Sequence, residues 1–101
     1  MNSTQEQRPV VLVAEALDEG AVAWLSQRAE VVEAAAAASP ERFDEALRRA
    51  VGLVVRTYTN VDETLLAKAP QLRVVARAGS GLDNIDVEAC SARGVQVVHT
   101  P

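Results

Sequence analysis

Five short, valine-rich apolar runs alternate along this chain with stretches whose apolar residues recur at helical spacing, and that alternation limits the accessible folds more than any other feature. A run such as PVVLVAEA (9–16) has no polar face, which suits a strand covered on both sides of a parallel sheet. Comparable runs occupy 29–34, 52–56, 71–78 and 95–99. Between them, Asp18 is placed to cap a helix that carries Val22, Leu25 and Ala29 on one side. Ser39-Pro40 opens a second helix with a capping hydroxyl and an apolar stripe of Phe43, Ala46, Leu47 and Ala50, and Gly52 supplies its stop. Asp62 caps a third, with Leu65, Leu66 and Ala69, which Pro70 ends because the residue before a proline is steered away from helical angles. Asp86 caps a fourth over Val87 to Arg93, and Gly94 takes the left-handed position that closes it. The alanine tract 34–38 favours helix over strand and leaves the end of the second strand open. Repeated βα units predict an α/β protein built on a doubly wound parallel sheet of five strands with right-handed crossovers.

The expected strand order is 2-1-3-4-5, the flavodoxin-like one, with the final helix lacking because the sequence stops just past the fifth strand. One domain segment over 9–101 accounts for the length, and 49% hydrophobic content suffices for an ordinary core without staples. Residues 1–8 read as a polar, disordered leader with no apolar centre of a secretory signal, and no apolar run approaches the ~18 residues of a membrane span. Cys90 and His99 are the only residues of their types, so neither an intrachain disulfide nor a Cys/His zinc cluster can form. Ten basic residues against fourteen acidic ones, a net charge of −4, and no cationic block exclude a surface that tracks nucleic-acid phosphates. A soluble, cytoplasmic protein is expected.

The chemistry concentrates in LRVVARAGSGLDNID (72–86). A dinucleotide fingerprint needs three glycines after the first strand of its unit and an acidic residue about 20 positions later. Here Asn84 stands in place of a third glycine, the loop follows the fourth strand, and no strand-terminal acid lies at the right distance. No Gly-Lys-Ser/Thr follows either, which excludes a Walker loop. What remains is a tight turn at the carboxyl end of a parallel strand, where Gly79 and Gly81 let a ligand approach backbone N–H groups. Arg56 and Arg77 end strands at the same sheet edge and offer paired donors to carboxylate or phosphate, so a small, multiply charged anion is the expected ligand. Each arginine also reads as a solvated strand-end charge. Asp83 and Asp86 suit turn and cap roles, Cys90 and Trp24 core positions, and His99 a hinge or packing role.

The stretch VVRTYTNVDETLLAKAPQLRVVARAGSGLDNIDVEACSARGVQVVHTP (54–101) resembles the D-isomer-specific 2-hydroxyacid dehydrogenases, and ARAGSGLDNID within it is most similar to the branch that oxidises 3-phosphoglycerate for serine biosynthesis. The resemblance implies a flavodoxin-like substrate-binding segment, followed after a hinge by an NAD-binding Rossmann domain that lies outside this chain. It implies that the Ser80 and Gly81 amides hold the substrate carboxylate while Gly79 permits the turn. Arg56 and Arg77 then hold the acidic substrate and its phosphate, with Thr57 and Tyr58 in the adjoining loop that runs to Asn60. Tyr58 stands where that branch has a small residue, and His99 where it has asparagine. The family's catalytic residues fall beyond Pro101, so no catalytic residue, no metal and no bound cofactor are expected in this segment, and NAD serves the parent enzyme. The isolated chain is expected to be inactive and to self-associate as a homo-oligomer. Two alternatives stand beside this: a small-anion-binding module of flavodoxin-like shape, and an autonomously folding fragment without catalysis.

Overall fold

The computed structural model of the chain describes residues 8–79 and 81–99. Five strands, β1 (Val10–Val13), β2 (Glu30–Glu33), β3 (Ala50–Val55), β4 (Val74–Arg77) and β5 (Gln96–His99), form one sheet in the order β2-β1-β3-β4-β5. Every pairing is parallel, with Leu12 beside Leu53, Leu53 beside Val75, and Arg77 beside His99. The expected architecture and order are therefore observed. Leu12, Leu53, Val55 and Val75 are fully buried at the sheet centre, as continuous apolar strands covered on both faces require.

Four helices connect the strands: α1 (Glu19–Ser26), α2 (Pro40–Arg49), α3 (Glu63–Ala67) and α4 (Val87–Ala92). Asp18, Asp62 and Asp86 cap three of them, their carboxylates accepting from Ala21 N at 3.2 Å, Leu65 N at 3.0 Å and Ala89 N at 3.0 Å. Phe43, Ala46 and Leu47 of α2 enter the core with Leu65 and Leu66 of α3 and Ala89 and Cys90 of α4. Gly94 closes α4 at φ 75°, the left-handed conformation expected of it.

Several local expectations fail for identifiable reasons. Ser39 precedes α2 without a side-chain capping bond, so Pro40 alone carries the start signal. The alanine tract forms a turn over 36–38, since the β1–β2 ladder reaches Ala34, whose N–H donates to Val13 O at 3.1 Å, and α2 begins too soon afterwards for another helix. Helix α1 ends at Ser26, short of Ala29, and Trp24, off the half-buried side that carries Val22 and Leu25, is 56% exposed, with the Arg28 guanidinium 3.8 Å from its ring centroid. Arg8, counted with the leader, donates to Ser26 O at 2.7 Å. Residues 1–7 lie outside the described residues.

Gly52 does not stop α2. The helix ends at Arg49 and β3 starts at once, leaving Gly52 inside the strand between Val11 and Val74. Its φ is not positive, and an added Cβ would stand 3.4 Å from Val11 Cγ2 and 3.6 Å from Val74 Cγ1, ordinary contact distances. Gly52→Ala is therefore expected to stabilise the protein by about 0.4–1 kcal/mol, because it narrows the unfolded ensemble without straining the strand. Urea unfolding followed by circular dichroism reads this directly, and destabilisation would show that the strand cannot hold a methyl group there.

Candidate functional site

In a sheet of this order the chain reverses its winding direction between β1 and β3, and ligands of open α/β sheets lodge beyond the carboxyl ends of the strands at such a point. Three loops meet at that edge: 14–18 after β1, 56–60 after β3 and 78–86 after β4. Their mutual fixation rests on two residues for which no functional role is expected from sequence.

The first is Glu15. Its carboxylate accepts from Arg56 N at 2.8 Å, Tyr58 N at 3.0 Å and Thr59 N at 2.9 Å, so one side chain takes three amides of the loop after β3. Partial burial raises its pKa, but the N–H donors of Tyr58, Arg56 and Thr59 outweigh burial and hold the carboxyl below its ordinary value. A single acid directly after a buried apolar strand was the available sequence signal. It named no partner.

The second is Asn84, at the missing-glycine position. Its Nδ2 donates to Arg56 O and Thr59 O, each at 2.7 Å, while its Oδ1 accepts from Arg77 Nε at 3.0 Å. The backbone adds Val61 N to Asn84 O at 2.8 Å and Asp86 N to Val61 O at 2.8 Å, zipping the loops after β3 and β4 together. The two carbonyls demand an NH₂ group and the guanidinium demands an oxygen, which fixes the orientation of the Asn84 amide.

The residues expected to bind an anion fall on two sides of this junction. Arg56, Thr57 and Tyr58 line a cleft of about 710 Å³ that Ala35 to Ala37 and Phe43 also line. The Arg56 guanidinium lies near the β1 loop, Nη1 being 3.4 Å from Ala16 O, and Tyr58 is 89% exposed. Arg77 does not line that cleft. It packs its guanidinium over Gly79, whose φ of 155° and missing Cβ allow the approach. The Gly79 amide already donates to Arg77 O at 3.0 Å, so it holds the turn and is not available to a ligand. Gly81 is exposed, lacks a positive φ and has nothing within 4 Å of a would-be Cβ. Ser80 lies outside the described residues.

Other chemistry finds little support. Burial pushes the Cys90 thiol above its ordinary pKa, with the Asp86 and Glu63 carboxylates acting in the same direction, which disfavours a nucleophilic thiolate. His99 is exposed at the end of β5. Among the described residues no group of three acidic, histidine or cysteine side chains is placed to hold a metal, and no helix is long and apolar enough to cross a membrane. The donor set at the β1 edge does not suit a dinucleotide: Glu15 occupies the amides of the β3 loop and Asp18 caps α1, so a pyrophosphate there would face two carboxylates.

The family model for the D-isomer specific 2-hydroxyacid dehydrogenase, catalytic domain, matches residues 11–101. D-3-phosphoglycerate dehydrogenase of Mycobacterium leprae is 47% identical over 97 residues, a match covering 92% of this chain and 17% of that protein. (S)-sulfolactate dehydrogenase of Chromohalobacter salexigens is 42% identical over 89 residues, covering 87% of this chain and 29% of that one. Among solved structures, NAD+-bound 3-phosphoglycerate dehydrogenase of Entamoeba histolytica superposes with a TM-score of 0.78 at 29% identity, covering 93% of this chain and 33% of that chain. The chain thus spans less than a third of the length of either curated relative. From β1 to the end of β5, fold order and sequence agree in one assignment: the chain belongs to the D-isomer specific 2-hydroxyacid dehydrogenases, matching part of their catalytic domain.

Proposed function

We propose that residues 9–101 form the substrate-holding lobe of a dehydrogenase that oxidises the 2-hydroxyl of D-3-phosphoglycerate to a 2-oxo group, with NAD and the proton-transferring residues supplied by a separate lobe. In this reading the Ser80 and Gly81 amides and Arg77 receive the carboxylate, while Gly79 holds the turn. Arg56, with Thr57 and Tyr58 beside it, receives the phosphate. The observation that carries it is the placement of two arginines at the carboxyl ends of adjacent strands, at the same edge as a loop whose Gly81 the fold itself does not require. Open backbone and guanidinium groups at one sheet edge supply the donors that a planar carboxylate accepts from. The relatives point the same way: the names of the two curated enzymes describe hydroxy acids that carry phosphate or sulfonate as a second acid group. Binding energy from both anionic ends places the reacting carbon for a partner lobe.

Titration of the ¹⁵N-labelled chain with 3-phosphoglycerate tests this. The amides of residues 79–82 and the Nε–Hε signals of Arg56 and Arg77 are expected to move together and saturably. D-lactate, which lacks the phosphate, is expected to move mainly the first set. Equal shifts on adding sodium chloride at matched ionic strength would sink the reading.

A further inference from the structure

We infer that Asn84 is a positioning residue that joins the two arginines into one receptor for a doubly acidic substrate. The inference rests on the proposal that Arg56 and Arg77 take the two ends of that substrate. Arg56 lines the cleft and Arg77 does not, its guanidinium lying against Gly79. What connects them is one carboxamide. Its NH₂ group holds the Arg56 and Thr59 carbonyls at 2.7 Å, setting where the β3 loop places the Arg56 side chain, while its oxygen holds Arg77 Nε at 3.0 Å. The Asn84 bond engages Nε of Arg77, and among the described residues no hydrogen bond takes the Nη groups, which can face a ligand. Asn84 is itself half-buried and makes all three bonds at once, so neither arginine can shift without disturbing the other's anchor.

A ligand that spans two pre-placed cations gains from their fixed separation, whereas a ligand that meets only one does not. Asn84→Ala is therefore expected to weaken 3-phosphoglycerate binding about tenfold, the scale of losing hydrogen bonds to a charged group, while inorganic phosphate binding changes less than about twofold. The Arg77 Nε–Hε signal should shift and exchange faster with solvent, and the amides of Tyr58 and Thr59 should move with it. A merely structural role would weaken both ligands alike, or neither.

Both titrations are run on the wild-type chain and the variant. Asn84→Ser, small and neutral, is used instead if the alanine variant loses the dispersed amide signals of Leu53 and Val75 that report an intact sheet. Wild-type binding with an unchanged affinity ratio in the variant overturns the coupling and leaves the functional reading standing. A wild-type chain that ignores 3-phosphoglycerate overturns both. An unmoved Arg77 Nε–Hε signal in the variant overturns the coupling whatever the affinities.

Discussion

Replacing Glu15 by alanine is expected to lower stability by about 2–3 kcal/mol at pH 7 and to loosen the loop that carries Arg56. Three amides converge on its carboxylate, and hydrogen bonds to a charged acceptor contribute about 1.5–3 kcal/mol each when shielded from water. Arg56 and Tyr58 are exposed, so water replaces part of what is lost; Thr59 is half-buried and regains less. The pH dependence follows from the direction of the pKa shift. A carboxyl held below its ordinary 4.5 in the folded chain contributes stability that is fully present above 4.5 and is lost as pH falls through the folded value. Glu15→Gln, which cannot titrate, should therefore be less stable than wild type at pH 7, with the gap closing as pH drops below about 4.5. Urea titrations of both proteins at several pH values measure that gap. A gap independent of pH would mean that the carboxylate does not hold the loop.

The sheet was legible because it depends on patterns that a single sequence displays. Valine runs without a polar face announced buried parallel strands, and three aspartates announced helix starts because a cap acts over three residues of the same chain. The site was legible only in part. Arg56 and Arg77 stood out by charge and by their strand-end positions, and Gly79 by its turn. Glu15 and Asn84 escaped because their partners lie far along the chain: Glu15 reaches residues 41 to 44 positions away, and Asn84 binds carbonyls 25 and 28 positions back. Nothing local distinguishes an asparagine that clamps two loops from one that merely tolerates a turn. Trp24 misled for a related reason, since a lone tryptophan on an amphipathic helix suggested a core position while its angular position on α1 placed it outside the core.

Substitution of the two loop glycines should weaken binding in both cases but lower stability only at Gly79, and that contrast separates turn geometry from ligand access. At Gly79 an added Cβ would overlap Arg77 Nη1 and lie 3.2 Å from Arg77 Cζ, at a φ of 155° that side chains with L chirality rarely adopt. The guanidinium is the mobile end of a long side chain, so it yields before the backbone does. Gly79→Ala is thus expected to cost about 1–3 kcal/mol of stability from backbone strain, and also to push Arg77 off Asn84 and reduce 3-phosphoglycerate binding more than tenfold. Gly81 has neither constraint. Gly81→Ala should leave stability within about 0.5 kcal/mol of wild type and still weaken binding, because its methyl group would stand where the carboxylate approaches. Urea unfolding and the ¹⁵N titration, applied to both variants, separate the two effects. Wild-type affinity in Gly81→Ala would mean that no ligand comes close to that backbone, and the carboxylate would then have to be held on the cleft side of Asn84, beside Arg56 and Tyr58.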